Sequence, residues 1–182
     1  GEYRKGKLVD PAHPVVFYID TCCPAEFVPY IKEGVLAWNA AFEKAGFKNA
    51  LRVKMADSKT VLEEQRAVIA YDLHEAGIRT GYTFHPKTGE ILSCRVNIGH
   101  GFLPKELWRY VLECGTVDDR IRKEFFHPDV VGEILRSKVI RAVGSVLGLK
   151  ENLAGSAAYT AEQVKSVAWL KQHGYTGSIM DN

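Results

Sequence analysis

Histidine and glutamate stand next to each other at His74–Glu75, in the stretch HEAGI. On a helix, the pattern H-E-x-x-H places two histidines on one face as zinc ligands, with the glutamate as general base. Here Ile78 occupies the position of the second histidine, and the stretch follows a segment with the composition of a strand. The other histidines show no spacing of four residues. We therefore interpret HEAGI as a coincidence and the histidines as surface or structural residues.

The cysteines lack the C-x-x-C spacing of zinc ribbons and are interpreted as buried, small hydrophobic residues: Cys22, Cys23, Cys94 and Cys114. They do not decide the redox compartment. As a nucleophile, Cys94 would need a base such as His100. A structural role for Cys94 is the favoured interpretation. A hydrolase of another chemistry would use Cys94 or the acidic residues Asp118, Asp119 and Asp129.

A wide apolar stripe predicts one long helix between Phe27 and Gly46. Its apolar residues recur at spacings of three and four, and Gly46 stands where a C-terminal glycine belongs. Before it, Val15–Ile19 is β-branched and aromatic, as is typical of a buried strand. Residues 1–13 are polar and contain Pro11, and Pro14 follows directly after them. We interpret them as a leading segment before one domain of residues 14–182.

Four further strands are predicted before the later helices. Ala50–Met55 and Ala67–Leu73 are apolar runs, and residues 81–99 have the pattern of two strands joined by a turn at Pro86–Gly89. Three helices follow, over Lys105–Glu113, from Pro128 to a stop at Gly148, and from Thr160 to Gln172 with Gln163 completing a capping box. This order predicts an α+β fold with a mixed sheet.

The composition excludes several classes of protein. The chain has 182 residues, of which 46% are hydrophobic and 25% charged, so we expect a globular protein with a sizeable core. Its formal net charge of +2 is too small to indicate a nucleic-acid-binding protein. No apolar run is long enough to span a membrane. The oligomeric state is left open.

The stretch Ile140–Ser156, IRAVGSVLGLKENLAGS, has the spacing of H-E-x-x-H-x-x-G-x-x-H with each chemically active residue replaced. Downstream, Ser178–Asp181 reads SIMD. A helix broken at a glycine and followed by a methionine in a tight turn is the metzincin layout. With PVVFYID, YIKEGVLAWNAAFEKAGFKNA and HPKTGEI earlier in the chain, these stretches resemble the catalytic domain of a large, secreted, bacterial family of metzincin-like zinc metalloproteases.

The resemblance runs from Pro14 to Asp181. It implies a metzincin-like fold with a twisted mixed sheet, a long N-terminal helix, an active-site helix and a Met turn. It also implies a secreted or periplasmic protein, and a family domain that continues beyond the Met turn. Two positions agree with the family: Gly148, which permits the chain to turn, and Met180, which forms the floor beneath the metal. The family's aromatic residue after the Met turn is replaced by Asn182.

Carried over by position, the resemblance implies that the zinc site is lost. The family's first histidine falls on Arg141 and its general-base glutamate on Ala142. The second and third histidines fall on Ser145 and Glu151. Arginine has only hydrogen-bond donors and a fixed positive charge, and alanine cannot transfer a proton. Zinc, the family's cofactor, is therefore not predicted here, since a catalytic site needs three protein ligands.

The expected function is that of a pseudoprotease with a structural or regulatory role, or one that binds an extended peptide or another domain of its parent protein. The strand with Cys94 resembles the family's edge strand beside the substrate, where a peptide would add to the sheet. The alternative is an active zinc-dependent metallopeptidase with unrecognised ligands. As a hypothesis, Arg141 and Glu151 pair across the vacated site, and the alternative is that they are two separately solvated charges. If that pair is buried, breaking it from one side would cost ~3–5 kcal/mol.

Overall fold

The computed structural model describes residues 8–57, 66–116, 118–152, 154–166, 168–170 and 177–180. The strands are β1 (Val15–Ile19), β2 (Leu51–Met55), β3 (Ala67–Asp72), β4 (Ile78–Phe84) and β5 (Ile91–Gly99). The helices are α1 (Val28–Leu36), α2 (Asn39–Lys44), α3 (Phe102–Cys114), α4 (Asp119–Lys123), α5 (Pro128–Val146) and α6 (Ala161–Lys165). None of the helices described is long and apolar enough to cross a membrane.

The five strands form one sheet in the order β2-β1-β3-β5-β4. Strands β1, β2, β3 and β5 are parallel, and β4 runs antiparallel to β5. The predicted α+β class with a mixed sheet is confirmed. The β-branched runs of β1 and β3 lie inside the sheet and supply buried residues, among them Phe17, Ile19 and Ile69. Helices α1 and α5 pack against each other and against this sheet.

Helix α5 buries a stripe that follows the helical period: Leu135, Val139, Val143 and Val146. Its neighbour α1 approaches so closely that a Cβ added at Gly34 would lie 2.7 Å from Cγ1 of Val139. Glycine is therefore required on the contact face of α1. This packing holds α5 against the sheet, with its C-terminal half beside β4 and β5.

The long helix predicted between Phe27 and Gly46 is wrong in one respect. It is divided into α1 and α2 by a tighter turn at Ala37–Trp38, where Trp38 N–H donates to the carbonyl of Val35 at 3.3 Å. The indole N–H of Trp38 donates to the carbonyl of Ile140 in α5 at 2.8 Å. The indole contact orients the divided helix, and it joins residues 102 positions apart, which the local pattern does not encode.

The last predicted helix, Thr160–Gln172, is interrupted at Ser166. Its capping box at Thr160 and Gln163 is confirmed, but α6 ends at Ser166, whose backbone is extended. There the Ser166 hydroxyl accepts from the backbone N–H of Trp169 at 3.3 Å, so the serine begins a new helical turn instead of continuing the old one. Residues 171–176, including Gln172, lie outside the described residues.

The edge of the sheet differs from the prediction. Cys94 lies on β5, which is flanked by β3 and β4, so this strand is not the edge. The outer strand on that side is β4, because the predicted hairpin turn folds it back along β5. Gly89 in the turn has a φ of +72°, a conformation that favours glycine. The described part of the segment before the sheet contacts the loop between α2 and β2, through a bridge between Val9 and Phe47 and through Asp10, which pairs with Lys48. Residues 1–7 lie outside the described part.

Candidate functional site

The C-terminus of α5 is closed by a Schellman motif. Gly148 has a φ of +90°, its N–H donates to the carbonyl of Ser145 at 3.1 Å, and the N–H of Leu149 donates to the carbonyl of Gly144 at 3.0 Å. The predicted stop at Gly148 is confirmed. Because the chain reverses here, the residues after the glycine return toward the last turns of the helix.

The reversal brings Glu151 to Arg141. The Nη2 atom of Arg141 lies 3.1 Å from Oε1 of Glu151, so the expected pair is formed. The side chains are 25% and 58% exposed. The cost expected for breaking a buried pair therefore does not apply, since solvent screens this contact.

Replacing either Arg141 or Glu151 by alanine should lower the free energy of unfolding by less than ~1 kcal/mol, because the pair is solvated. Urea unfolding of the two variants and of the double variant measures the coupling between the side chains. Raising the salt concentration should shrink that coupling. A loss of about 3 kcal/mol from either single variant would contradict the prediction and indicate a buried pair.

The other two replaced positions lie on the same stretch of α5. Ser145 donates its hydroxyl to the backbone carbonyl of Arg141, one turn earlier, at 3.3 Å. The side chain of Ala142 is buried. Arg141, Ala142 and Ser145 all line one cavity, so these positions face a shared space.

Met180 packs against α5 between two of these positions. A Cβ added at Gly144 would lie 2.6 Å from Sδ of Met180 and 2.6 Å from Cζ2 of Trp38. The buried methionine is held by its backbone: its N–H donates to the Ser178 hydroxyl at 3.1 Å, and its carbonyl accepts from Asn152 N–H at 3.1 Å. Neither Trp38 nor Gly144 was predicted from the sequence to take part in this contact. An isolated glycine inside a helical pattern was the available signal.

The cavity beside these residues has a volume of about 370 Å³. We call it the edge cavity, because it lies between α5, α3 and the start of β4. Its charged lining residues are Lys105, Glu106, Lys138 and Arg141. Nζ of Lys138 lies 2.8 Å from Oε2 of Glu106, so α3 and α5 are joined by an ion pair across it. The lining thus carries more positive than negative charge.

A second cavity, of about 450 Å³, continues on the other side of this ion pair. It shares Glu106, Lys138 and Arg141 with the edge cavity and extends to Ser178 and Ile179, the residues before Met180. We call the two together the α5 groove. Arg141 lies at their junction, so a ligand in either cavity would meet its guanidinium.

Among the described strands, β4 is paired on one side only, so its other edge is open beside the groove. The N–H of Gly99 donates to the carbonyl of Gly77 at 2.9 Å, one pair before β4 begins. Hydrogen-bonded and non-hydrogen-bonded pairs alternate along antiparallel strands. The backbone groups of Ile78, Thr80 and Tyr82 therefore point away from β5. Ile78 and Thr80 also line the edge cavity, so these backbone groups lie at its rim.

The match with known families covers this same region. Residues 123–182 match the family model described as Met-zincin. That part of the chain contains α5, the turn at Gly148 and the buried Met180. The match supports a metzincin-like, metallopeptidase-like domain here, as the resemblance implied. No curated protein and no solved structure matches the chain.

The residues at the positions that the resemblance assigns to the zinc ligands do not fit zinc. Arginine cannot donate a lone pair, so Arg141 cannot be a ligand. The hydroxyl of Ser145 donates to a backbone carbonyl, and the carboxylate of Glu151 pairs with the arginine. Within the ranges that the structure describes, no group of three or more His, Cys, Asp or Glu side chains could hold a metal ion. We therefore derive no chemistry through zinc.

The stretch HEAGI lies between β3 and β4 and not on a helix. The backbone N–H of His74 donates to Oδ1 of Asp72 at 2.8 Å, and Glu75 pairs with Arg79 at 2.9 Å. These contacts organise the turn into β4. The geometry of H-E-x-x-H requires a helix, so this stretch does not supply the motif.

Cys94 does not have the surroundings of a nucleophile. Burial raises the pKa of its thiol to about 11, so the thiolate is disfavoured near neutral pH. The proposed base His100 lies past the end of the same strand, where Nδ1 contacts the Tyr71 hydroxyl at 2.7 Å. A strand rises about 3.3 Å per residue, which separates the two by roughly 20 Å. The buried environment predicted for cysteine is confirmed for Cys94 and Cys23 and is wrong for the exposed Cys22.

Asp118 belongs to a structural network. Its carboxylate accepts from the backbone N–H of Arg120 at 2.9 Å, as the N-cap of α4, from the Arg120 guanidinium, and from the Tyr110 hydroxyl at 2.7 Å. The guanidinium also pairs with Glu133 at 2.8 Å. Its hydrogen bonds to Arg120 hold the pKa of Asp118 well below its usual range. This carboxylate joins α3, α4 and α5 and is not placed for hydrolysis.

Asp118→Asn should make stability less sensitive to acid. The folded state lowers the pKa of Asp118 below its ordinary value of 3.8, so the ionised carboxylate stabilises the fold above that pH. This stabilising contribution is lost as the pH falls below 3.8, toward the pKa of Asp118 in the folded state. Urea unfolding between about pH 5 and pH 2 should show a shallower slope for the variant than for the wild type. Glu113→Gln, which changes an exposed carboxylate paired with Arg109, serves as the control and should keep the wild-type slope.

Proposed function

We propose that this chain is a metallopeptidase-like domain without peptidase chemistry, which binds an extended peptide in the α5 groove. The observation that carries the proposal is the set of side chains at the end of α5. Where the family has two histidines and a glutamate on the helix, this chain has Arg141, Ala142 and Ser145. Arg141 is paired with Glu151, the residue that the resemblance places at the position of the third histidine.

The loss of chemistry follows from these residue types. Hydrolysis in the family needs a group that takes a proton from water and passes it to the leaving amine, a step worth about 10²–10⁴-fold. Ala142 has no such group. A fixed positive charge at Arg141 opposes any cation at the same place, since like charges repel strongly in a partly desolvated groove.

Peptide binding is supported by the open edge of β4. A strand at the edge of a sheet presents unpaired backbone groups, and an extended peptide can add to them as a further strand. Ile78 and Thr80, whose backbone N–H and C=O groups point to this edge, also line the edge cavity. The cavity has room for side chains of such a peptide. Main-chain pairing would supply affinity, and the cavity would supply selectivity.

Metal content and cleavage together test the loss of chemistry. The protein, purified without a chelator, is expected to contain much less than one zinc per chain. It should also leave a mixed peptide pool intact, as judged by mass spectrometry with and without a chelator. Stoichiometric zinc with chelator-sensitive cleavage would overturn the proposal and favour the alternative, an active zinc-dependent metallopeptidase with unrecognised ligands.

A further inference from the structure

We propose that the α5 groove selects peptides that carry a carboxylate, and that this carboxylate binds Arg141 in exchange for Glu151. The inference rests on the proposed peptide-binding function and adds the chemical class of the ligand. It is carried by three observations: the charge of the edge cavity, the contact that Glu151 already makes, and the position of Arg141 relative to β4.

The charge of the edge cavity favours an anion. Among its described lining residues, Lys105, Lys138 and Arg141 are cationic and Glu106 is anionic. The ion pair of Lys138 with Glu106 uses one charge of each sign. The excess is therefore positive, and complementary charge both selects partners and speeds their encounter.

The contact with Glu151 shows that the guanidinium of Arg141 can bind a carboxylate. Nη2 of Arg141 lies 3.1 Å from Oε1 of Glu151, and the glutamate side chain is 58% exposed. Pairs with this exposure contribute only ~0.2–1 kcal/mol, so a second carboxylate can replace it at little cost. Glu151 thus acts as an internal competitor for the ligand.

The position of Arg141 fits a peptide paired with β4. Arg141, Ile78 and Thr80 line the same cavity. In an added strand, alternate side chains point to one face of the sheet, here the face covered by α5. A residue paired beside Ile78–Thr80 therefore directs its side chain, or its chain end, toward the guanidinium. Arginine suits this partner because its planar fork matches the two oxygens of a carboxylate.

The test compares three pools of short, fluorescent peptides rich in Val, Thr and Tyr, measured by anisotropy with the full chain. The first has a central Glu and blocked ends, the second a central Gln and blocked ends, and the third a central Gln and a free C-terminal carboxylate. We expect a pool with a carboxylate to bind up to about fivefold more tightly than the neutral pool, because an exposed pair contributes only ~0.2–1 kcal/mol. A preference for the third pool over the first identifies a chain end as the source of the carboxylate.

Two variants test whether the preference for a carboxylate depends on Arg141 and Glu151. Arg141→Gln should abolish the difference between the pools, and Glu151→Gln should strengthen binding of the carboxylate pools by a few fold, since the competitor is removed. Added salt should reduce the preference. Equal binding of charged and neutral pools, or a preference that survives Arg141→Gln, would overturn the inference.

Thr80→Pro separates this inference from the proposed function. Proline removes the N–H that points to the open edge and leaves the bonds to β5 in place. It should weaken all pools alike. If it does so while the pools bind equally, peptide binding stands and carboxylate selection fails. If it has no effect while the Arg141-dependent preference remains, the carboxylate site stands and strand addition fails. Binding by no pool would overturn both. Urea unfolding of each variant checks that it is folded.

Discussion

A variant carrying Arg141→His, Ala142→Glu, Ser145→His and Glu151→His is expected to bind about one zinc ion per chain, which the wild type should not do. This is the largest change in ligand binding that the structure predicts. The helix, its glycine stop and the buried methionine are all in place, and the variant changes only the side chains that the resemblance assigns to the metal site.

The backbone already places these positions together. Residues four apart on a helix lie about 5–6 Å from each other on one face, so His side chains at 141 and 145 can share an ion. The Schellman motif at Gly148 returns the chain, and Glu151 reaches the guanidinium of Arg141. A third histidine at position 151 would therefore approach the same space.

Titration with zinc against a chromophoric competitor measures the affinity of the variant. The matched control retains Ala142 and carries the other three changes. It should bind zinc as well as the full variant, and only the full variant should acquire chelator-sensitive cleavage, because the control lacks the base. Failure of both variants to bind zinc, although folded by circular dichroism, would show that these positions are not those of the family's ligands.

The second large effect is on stability. Gly144→Leu should lower the free energy of unfolding by about 3 kcal/mol, the upper part of the usual range for overpacking a core. An added Cβ at this position would already lie 2.6 Å from both Met180 and Trp38, so the larger side chain must displace them. Trp38 cannot retreat without losing its hydrogen bond to the carbonyl of Ile140.

Gly81→Leu is the matched control, because a Cβ there meets nothing within 4 Å, and its effect should stay within about 0.5 kcal/mol. Combining Gly144→Leu with Met180→Ala should restore part of the lost stability, a coupling of about 0.5–3 kcal/mol between contacting residues. Additive effects of the two changes would show that Met180 does not pack against α5 at Gly144. Urea unfolding of Gly144→Leu, Met180→Ala, the double variant and Gly81→Leu, each compared with the wild type, supplies these four changes in free energy.

The local parts of the fold were predictable because their causes are local. Helix α5 and its stop follow from a helical stripe and from a glycine that adopts a positive φ at Gly148. The hairpin turn needs Gly89 in the same way, and the start of α6 needs only Thr160 and Gln163. Each of these signals acts over a few residues, so it can be recognised from the local composition and spacing of the sequence.

The sequence by itself therefore determined the α+β class, the order of the elements and the residue types at the end of α5. Only the tertiary structure decided which strand forms the edge, where Trp38 divides the first helix, and that the Arg141–Glu151 pair is solvated. These features depend on how the elements pack in three dimensions: the contact between Trp38 and Ile140, for example, joins residues 102 positions apart. Such contacts depend on how helices and strands pack, and packing is a property of the whole fold rather than of any short stretch.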